Sequence, residues 1–441
     1  MIRPVIAIVG RPNVGKSTLF NRLIGRRQAL VRDVPGVTRD RLYGRVSFER
    51  WRATAVDTGG FDPTAESEIP ALVKRQVLMA IEEADLLLFV VDGRAGVTPL
   101  DQEVARILRL SRRPVLLVAN KVESPTQEPE LGELYRLGFS PVHAVSAEHG
   151  RGVAELLEAA RALAPEPGSE AESPGLRVAV VGRPNVGKSS LINAILGAER
   201  VLVHDAPGTT RDAVDTPLEY RGRSYVLIDT AGIRRKGRTQ APLEKLAAVM
   251  ALRSLDRCQV AVLLADASEG LTAQDAHIAG YADAAGRALV IAVNKWDLVP
   301  SGGVTRAEVV SQIRDRLPFV DYAPVAFTSA LQGSGLPDLF DLIDRVGEEA
   351  SKKVPPALVT KVVTAAVERR PITSGGVPLL VHSASQIAQA PPTFALRVNL
   401  PDQIHFSYER YLTNSIRRAL GFDGSPIRLA FRRARFRKAH R

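Results

Sequence analysis

The sequence predicts an α/β architecture: two tandem domains, each a mostly parallel sheet with helices on both faces, followed by a small α+β domain. Three observations carry that prediction. The stretch Gly10-Arg11-Pro12-Asn13-Val14-Gly15-Lys16-Ser17 recurs letter for letter as Gly182-Arg183-Pro184-Asn185-Val186-Gly187-Lys188-Ser189, 172 positions later. Around both copies, short apolar runs alternate with segments of helical period. Beyond residue 350 the pattern changes and the chain turns strongly basic.

Residues 1–163 form the first domain. The run Val5 to Val9 predicts a strand, and Leu19, Phe20 and Leu23 follow at helical spacing. Val34 to Asp40 is too rich in turn signals for regular structure. Tyr43 to Phe48 and Trp51 to Val56 predict a hairpin, with buried strands at Leu86 to Val91, Val115 to Ala119 and Val142 to Val145. Helices are predicted over Ile69 to Ile81, Val104 to Leu110 and Val153 to Leu163. Residues 164–175 hold three prolines and no apolar period, which describes an extended acidic linker.

Residues 176–350 replay the first domain. Thr38 pairs with Thr210 and Asp57 with Asp229 at an offset of 172; Asp92 with Asp266, Thr98 with Thr272 and Asn120 with Asn294 at 174; Ser146 with Ser329 at 183. A drifting offset between fixed motifs indicates a duplicated domain with loop insertions. Residues 351–441 follow another grammar. A helix is predicted over Leu358 to Val367, strands over Leu379 to His382 and Phe394 to Val398, and a helix over Phe406 to Leu420. In that helix Tyr408, Tyr411, Leu412, Ile416 and Leu420 fall at core spacing. A strand over Ile427 to Phe431 and a basic terminus from Arg432 to Arg441 complete the chain.

Hydrophobic content of 45% and charged content of 24% over 441 residues are those of a soluble globular chain. A single cysteine, Cys258, excludes an internal disulfide and suits a reducing compartment, and the apolar runs are too short to span a bilayer. The expectation is a cytoplasmic protein. The net charge of +11 sits wholly in the tail: residues 353 to 441 carry 15 Lys and Arg against 4 Asp and Glu. A basic domain behind neutral ones suggests a polyanionic partner.

The repeated octet follows a strand and opens a helix, the context of a phosphate-binding loop. Its glycines let backbone N–H groups curl around phosphate oxygens at a helix N-terminus. Lys16 and Lys188 would reach the β- and γ-phosphates, and the hydroxyls of Ser17 and Ser189 would hold Mg²⁺. Asp57-Thr58-Gly59-Gly60 and Asp229-Thr230-Ala231-Gly232 have the DxxG form, with the Asp on Mg²⁺ and the last Gly N–H sensing the γ-phosphate. Thr38 and Thr210 align as switch threonines on Mg²⁺. Asn294-Lys295-Trp296-Asp297 is an NKxD motif, whose carboxylate accepts from the N1–H and 2-amino group of guanine while the Asn side chain meets the base edge. Ser146-Ala147 and Ser329-Ala330 would add backbone contacts to the guanine carbonyl. In the first copy the motif reads Asn120-Lys121-Val122-Glu123, so the charge is kept but moved by one methylene. GTP and GDP are therefore the expected nucleotides at both sites, with looser base recognition at the first.

Two P-loop GTPase domains in tandem with a basic α/β tail resemble the Der (EngA) family of bacterial ribosome-assembly GTPases. The resemblance spans essentially the whole chain, including Pro391-Pro-Thr-Phe394, His405-Phe-Ser-Tyr408 and Pro426-Ile-Arg-Leu429. It implies a KH-like tail and action on ribosomal RNA and the large ribosomal subunit. An RNA-gripping KH domain carries a GxxG loop between two helices, whereas Gly421-Phe-Asp-Gly424 lies between a helix and a strand and reads as a helix-capping turn. The sequence leaves the oligomeric state open, with a monomer as the default.

Ras-like enzymes orient water with a Gln after DxxG; here Phe61 and Ile233 stand there. The resemblance implies instead that Asn13 and Asn185 coordinate K⁺, which supplies the charge that an arginine finger gives elsewhere. Two alternatives stay open at this level. One is a tRNA-modification GTPase, a class with a C-terminal reactive cysteine; the other is a nucleotide-gated RNA-binding module with negligible turnover.

Overall fold

The computed structural model describes residues 3–25, 43–49, 51–58, 73–74, 76–78, 80–81, 84–164, 175–198, 201–203, 215–229, 244–300, 302–374 and 376–434. They fall into two compact units, Met1–Ala171 and Glu172–Arg441.

The first unit runs β1 (Val5–Val9), α1 (Lys16–Ile24), β2 (Tyr43–Phe48), β3 (Trp51–Asp57), β4 (Leu86–Asp92), α2 (Pro99–Leu110), β5 (Val115–Asn120), β6 (Val142–Val145) and α3 (Val153–Leu163). The strand order is β2-β3-β1-β4-β5-β6. Only β2 runs against its neighbour, as the arm of the expected hairpin. Because β4 is covered on both faces, all seven of its residues are buried, which explains its unbroken apolar run. Parallel pairing sets Ile8 beside Asp57 and Asp92 beside Asn120, so the carboxyl ends of four strands share one edge. Helix α2 starts at Pro99 rather than at Val104. The apolar period begins late, but Thr98 and Asp101 close a capping box and Pro99 occupies the first turn. A 3₁₀ stretch over Pro125–Leu137 carries no periodic signal and was not legible.

In the second unit β7 (Leu176–Val181), α4 (Lys188–Leu196), β8 (Val201–Val203), β9 (Thr216–Tyr220), β10 (Arg223–Leu227), α5 (Glu244–Arg257), β11 (Val260–Asp266), α6 (Ala273–Ala285), β12 (Ala288–Asn294), α7 (Arg306–Arg316), β13 (Val325–Phe327) and α8 (Leu336–Ser351) rebuild the same plan. The order is β13-β12-β11-β7-β10-β9-β8, with a short extra edge strand, β8.

The tail follows as α9 (Pro356–Arg369), a two-residue-per-arm hairpin β14 (Thr373–Ser374) and β15 (Val377–Pro378), β16 (Val381–Ala388), β17 (Thr393–Val398), α10 (Phe406–Leu420) and β18 (Arg428–Arg433). Val359, Val363, Leu396, Leu412 and Ile416 form its core with Tyr408, so the tyrosine stripe is packing and not a base-stacking surface. The first sheet strand begins at Val381 instead of Leu379 and runs on through Ser383, Ser385 and Gln386, whose polarity hid it. Arg432 and Arg433 belong to β18, paired with Arg397 and Val398, and not to a terminal extension.

Gly421 ends α10 with φ 86°, Phe422 follows at φ 73° and is fully buried, and Gly424 has φ 70°. The turn is indeed a cap, and it is also a wedge. Gly424 N–H donates to Tyr322 O at 3.0 Å, and Leu289 N–H at the start of β12 donates to Gly424 O at 2.7 Å. A Cβ at Gly424 would lie 2.4 Å from the Val346 side chain, so only glycine lets the backbone approach this closely. Among the described residues no helix is long and apolar enough to cross a membrane.

Candidate nucleotide sites

Each phosphate loop turns on two left-handed residues: Asn13 (φ 63°) and Gly15 (φ 89°) in the first copy, Asn185 (φ 65°) and Gly187 (φ 97°) in the second. The following helices, α1 and α4, have no side-chain cap at their N-termini. Their first N–H groups are therefore available to an anion. The glycines also sit where no side chain fits. A Cβ on Gly10 would meet Val90 O at 2.2 Å and one on Gly182 would meet Leu264 O at 2.6 Å. On Gly15 and Gly187 it would meet the amides of Asn120 and Asn294 at 2.3 and 2.4 Å.

Lys16 Nζ donates to Gly10 O at 2.9 Å and Arg11 O at 2.7 Å, and Lys188 Nζ to Gly182 O at 2.8 Å and Arg183 O at 2.6 Å. Both ammonium groups are held over their loops by main-chain carbonyls. Burial pushes Lys16 down to about 8, against the pull of Asp57. An uncapped helix end, a cradle with no room for Cβ atoms and a lysine in its mouth fit a triphosphate. Ser17 and Ser189 are exposed at the helix starts and Asp57 is buried at the end of β3, a set of hard oxygen donors suited to Mg²⁺.

The two copies differ at the next motif. Asp57 is still in β3, paired beside Ile8, and Thr58 donates its hydroxyl to Ile8 O at 2.6 Å. In the second copy β10 stops at Leu227, and Asp229 takes φ 58° with its N–H donated to Asp215 at 3.2 Å. Thr38, Gly59, Gly60, Phe61, Thr210, Thr230, Ala231, Gly232 and Ile233 lie outside the described residues.

The base motifs are built from β5 and β12. Asn120 Nδ2 donates to Val14 O at 2.8 Å while its Oδ1 accepts from Ala147 N–H at 3.0 Å. Asn294 repeats this with Val186 O at 2.9 Å and Ala330 N–H at 3.0 Å. Each asparagine thus clamps the phosphate loop to the Ser-Ala loop. Each amide is engaged by protein at both ends, and the Ala147 and Ala330 N–H groups are donated to asparagine. Ser146 and Ser329 are buried, their Oγ atoms accepting from His149 N–H and Gln332 N–H. Lys121 (φ 70°) and Lys295 (φ 60°) turn back, each with Nζ 2.6 Å from the preceding strand's Asp92 or Asp266. Burial works to raise both carboxyls, but these lysines with neighbouring N–H donors outweigh it and hold them below the usual carboxylate range. Val122 is buried and Trp296 packs edge-on against Phe327, under Arg306.

The arginines beside Pro12 and Pro184 have a partner that spacing did not suggest. Arg11 Nε donates to Asp101 at 3.3 Å, and Arg183 Nε lies 3.4 Å from Asp275. These aspartates are the fully buried capping-box residues of α2 and α6. The Thr98 and Thr272 pairing was the only sequence signal for this brace. Glu123 and Asp297, the carboxylates meant for guanine, also differ. Glu123 is ion-paired with Arg94, with His149 Nε2 3.8 Å away. Among the described residues Asp297 makes no ion pair.

The cysteine-based alternative finds no support. Cys258 is 1% exposed, burial pushes its thiol up to about 12, and Sγ donates to Leu255 O.

The family model described as "50S ribosome-binding GTPase" matches residues 5–121 and 177–295. One described as "KH-domain-like of EngA bacterial GTPase enzymes, C-terminal" matches residues 353–432. The GTPase Der of Moorella thermoacetica is 48% identical over 438 residues, covering 99% of this chain and 100% of that protein. That of Pelotomaculum thermopropionicum is 49% identical over 435 residues, covering 98% and 99%.

Proposed function

The chain belongs to the GTPase Der (EngA) family of GTP-hydrolysing enzymes, and we propose from that premise that it couples GTP hydrolysis to assembly of the large ribosomal subunit in the cytoplasm. The observation that carries this reading is the pairing of two phosphate cradles of the same construction with a KH-like basic domain in one chain. Lys16 and Lys188 leave their loop carbonyls for phosphate oxygens, and the uncapped N–H groups of α1 and α4 receive the β-phosphate. Ser17, Thr38 and Asp57 in the first site, and Ser189, Thr210 and Asp229 in the second, would hold Mg²⁺, which would supply charge neutralisation on the phosphates. Gly60 and Gly232 sense the γ-phosphate. The exposed Asn13 and Asn185 side chains of the phosphate loops would hold K⁺, which would supply the positive charge that an arginine finger gives elsewhere.

RNA contact is assigned to the outward charges of the tail. Lys361, Arg369, Arg370, Arg397, Arg418 and Arg432 are exposed, and Arg397 and Arg432 are register partners on β17 and β18. The test is co-sedimentation of the full chain with isolated large ribosomal subunits, with a non-hydrolysable GTP analogue or with GDP, across a salt series. Binding that depends on the nucleotide and falls steeply with salt is expected. Equal, salt-insensitive pelleting in both states contradicts the reading.

A further inference from the structure

We propose that Arg94 is a positioning residue that sets base selectivity at the first nucleotide site: it holds one oxygen of Glu123 and leaves the other for guanine. The proposal rests on the reading of Glu123 as the base-recognising carboxylate.

Guanine offers two adjacent donors, N1–H and the 2-amino group, and a free carboxylate can take both with its two oxygens. At the first site Oε1 of Glu123 is held by the guanidinium of Arg94 and faces His149 Nε2 at 3.8 Å. The Arg94 side chain is also tethered by its Nε, which donates to Lys121 O at 3.1 Å, while its backbone N–H donates to Asp92 at 2.9 Å. Arginine and carboxylate are thus tied through the backbone of the same motif. Glu123 carries one methylene more than Asp297, the residue at the aligned position.

The second site lacks this arrangement at every position. Arg94 aligns with Ser268, whose hydroxyl donates inward to Asp266 at 2.6 Å. His149 aligns with Gln332, and Glu123 with the shorter Asp297. Among the described residues nothing competes for the Asp297 oxygens. The base therefore has the Asp297 oxygens to itself at the second site, whereas at the first it shares one Glu123 oxygen with Arg94. The difference predicts that the first site depends less on the 2-amino group than the second does.

The experiment uses the full chain with one site silenced at a time, by Lys188→Ala to read the first and Lys16→Ala to read the second. A fluorescent GDP analogue is displaced with GDP or with IDP, which lacks only the 2-amino group. At the second site IDP should bind about tenfold or more weaker than GDP, and at the first within about threefold. Arg94→Ser, the residue of the second copy, should raise the first site's ratio to about tenfold, chiefly through tighter GDP. A first site that already discriminates tenfold, or an unchanged ratio in Arg94→Ser and Arg94→Gln, overturns the role of Arg94. Glu123→Ala separates this from the underlying reading: GDP affinity and ratio both unmoved by that change would remove Glu123 from base recognition altogether.

Discussion

The guanidinium of Arg417 lies over the ring of Tyr322, 4.5 Å from its centroid, and Tyr322 donates its hydroxyl to Asp283 at 2.9 Å. Asp283 also accepts from Arg428, so two tail arginines meet one aspartate–tyrosine pair of the second GTPase domain. Arg417 further donates to the carbonyls of Phe422 and Ser425, which fixes the Gly421 to Gly424 wedge. Burial lowers its own affinity for a proton, but a guanidinium stays charged. Arg417→Ala should destabilise the docked tail by about 2–4 kcal/mol, from a partly desolvated cation–π contact and two charged hydrogen bonds. Hydrogen exchange at the Leu289 amide, bonded to Gly424 O, should then quicken. Tyr322→Phe, which keeps the ring but removes the bond to the Asp283 carboxylate, should cost about 1.5–3 kcal/mol and leave the Arg417 contact in place. Unaltered exchange in Arg417→Ala would mean the contact holds nothing.

Cys258 provides an internal reporter. Its thiol is raised to about 12, so it stays protonated in the folded chain at pH 8, and it is buried between Ser254 and the strand β11. A raised folded value stabilises the fold below the thiol's ordinary range and loses that contribution as pH climbs through the window from 9 to about 12. A thiol reagent at pH 8 should therefore label native chain negligibly and label it fully in denaturant. Rapid labelling of native chain would place the thiol at the surface.

Guanine recognition at the second site should depend on Asp297. Asp297→Asn should weaken GTP by about tenfold or more and favour xanthine nucleotides, because part of the acceptor becomes a donor. Equilibrium binding with the first site silenced reads this directly; unchanged GTP affinity removes Asp297 from the base. Glu123→Asp, which withdraws the carboxylate from Arg94, should tighten GTP at the first site.

Hydrolysis should be faster in K⁺ than in Na⁺ at equal ionic strength, and the gap should close when Asn13 and Asn185 are both changed to Ala. Steady-state phosphate release is the measurement. Equal rates in both cations would assign the missing positive charge to protein or partner.

What sequence could and could not show divides along physical lines. Gly10 to Ser17 and Asn294 to Asp297 were legible because their chemistry needs fixed residues at fixed spacing beside a strand. The core of α10 was legible because Tyr408, Leu412 and Ile416 recur at helical period. The Arg11–Asp101 brace was not, since its partners are ninety residues apart and meet only through the parallel pairing of β1 with β4. Nor could a charge count tell Arg417 and Arg428, turned inward onto the second domain, from Arg397 and Arg432, turned out. Asn120 shows a third case: the hydrogen bonds by which its buried amide ties two loops together leave no trace in the sequence.

The central claim is that one chain contains two working GTPase sites. Multiple-turnover phosphate release from the full chain tests it most directly, comparing the parent with Lys16→Ala, Lys188→Ala and the double variant. Each single variant should retain turnover from its intact site, and the double variant should fall to background. Full loss in either single variant would contradict two independent sites, and turnover surviving in the double variant would contradict the phosphate-loop account itself.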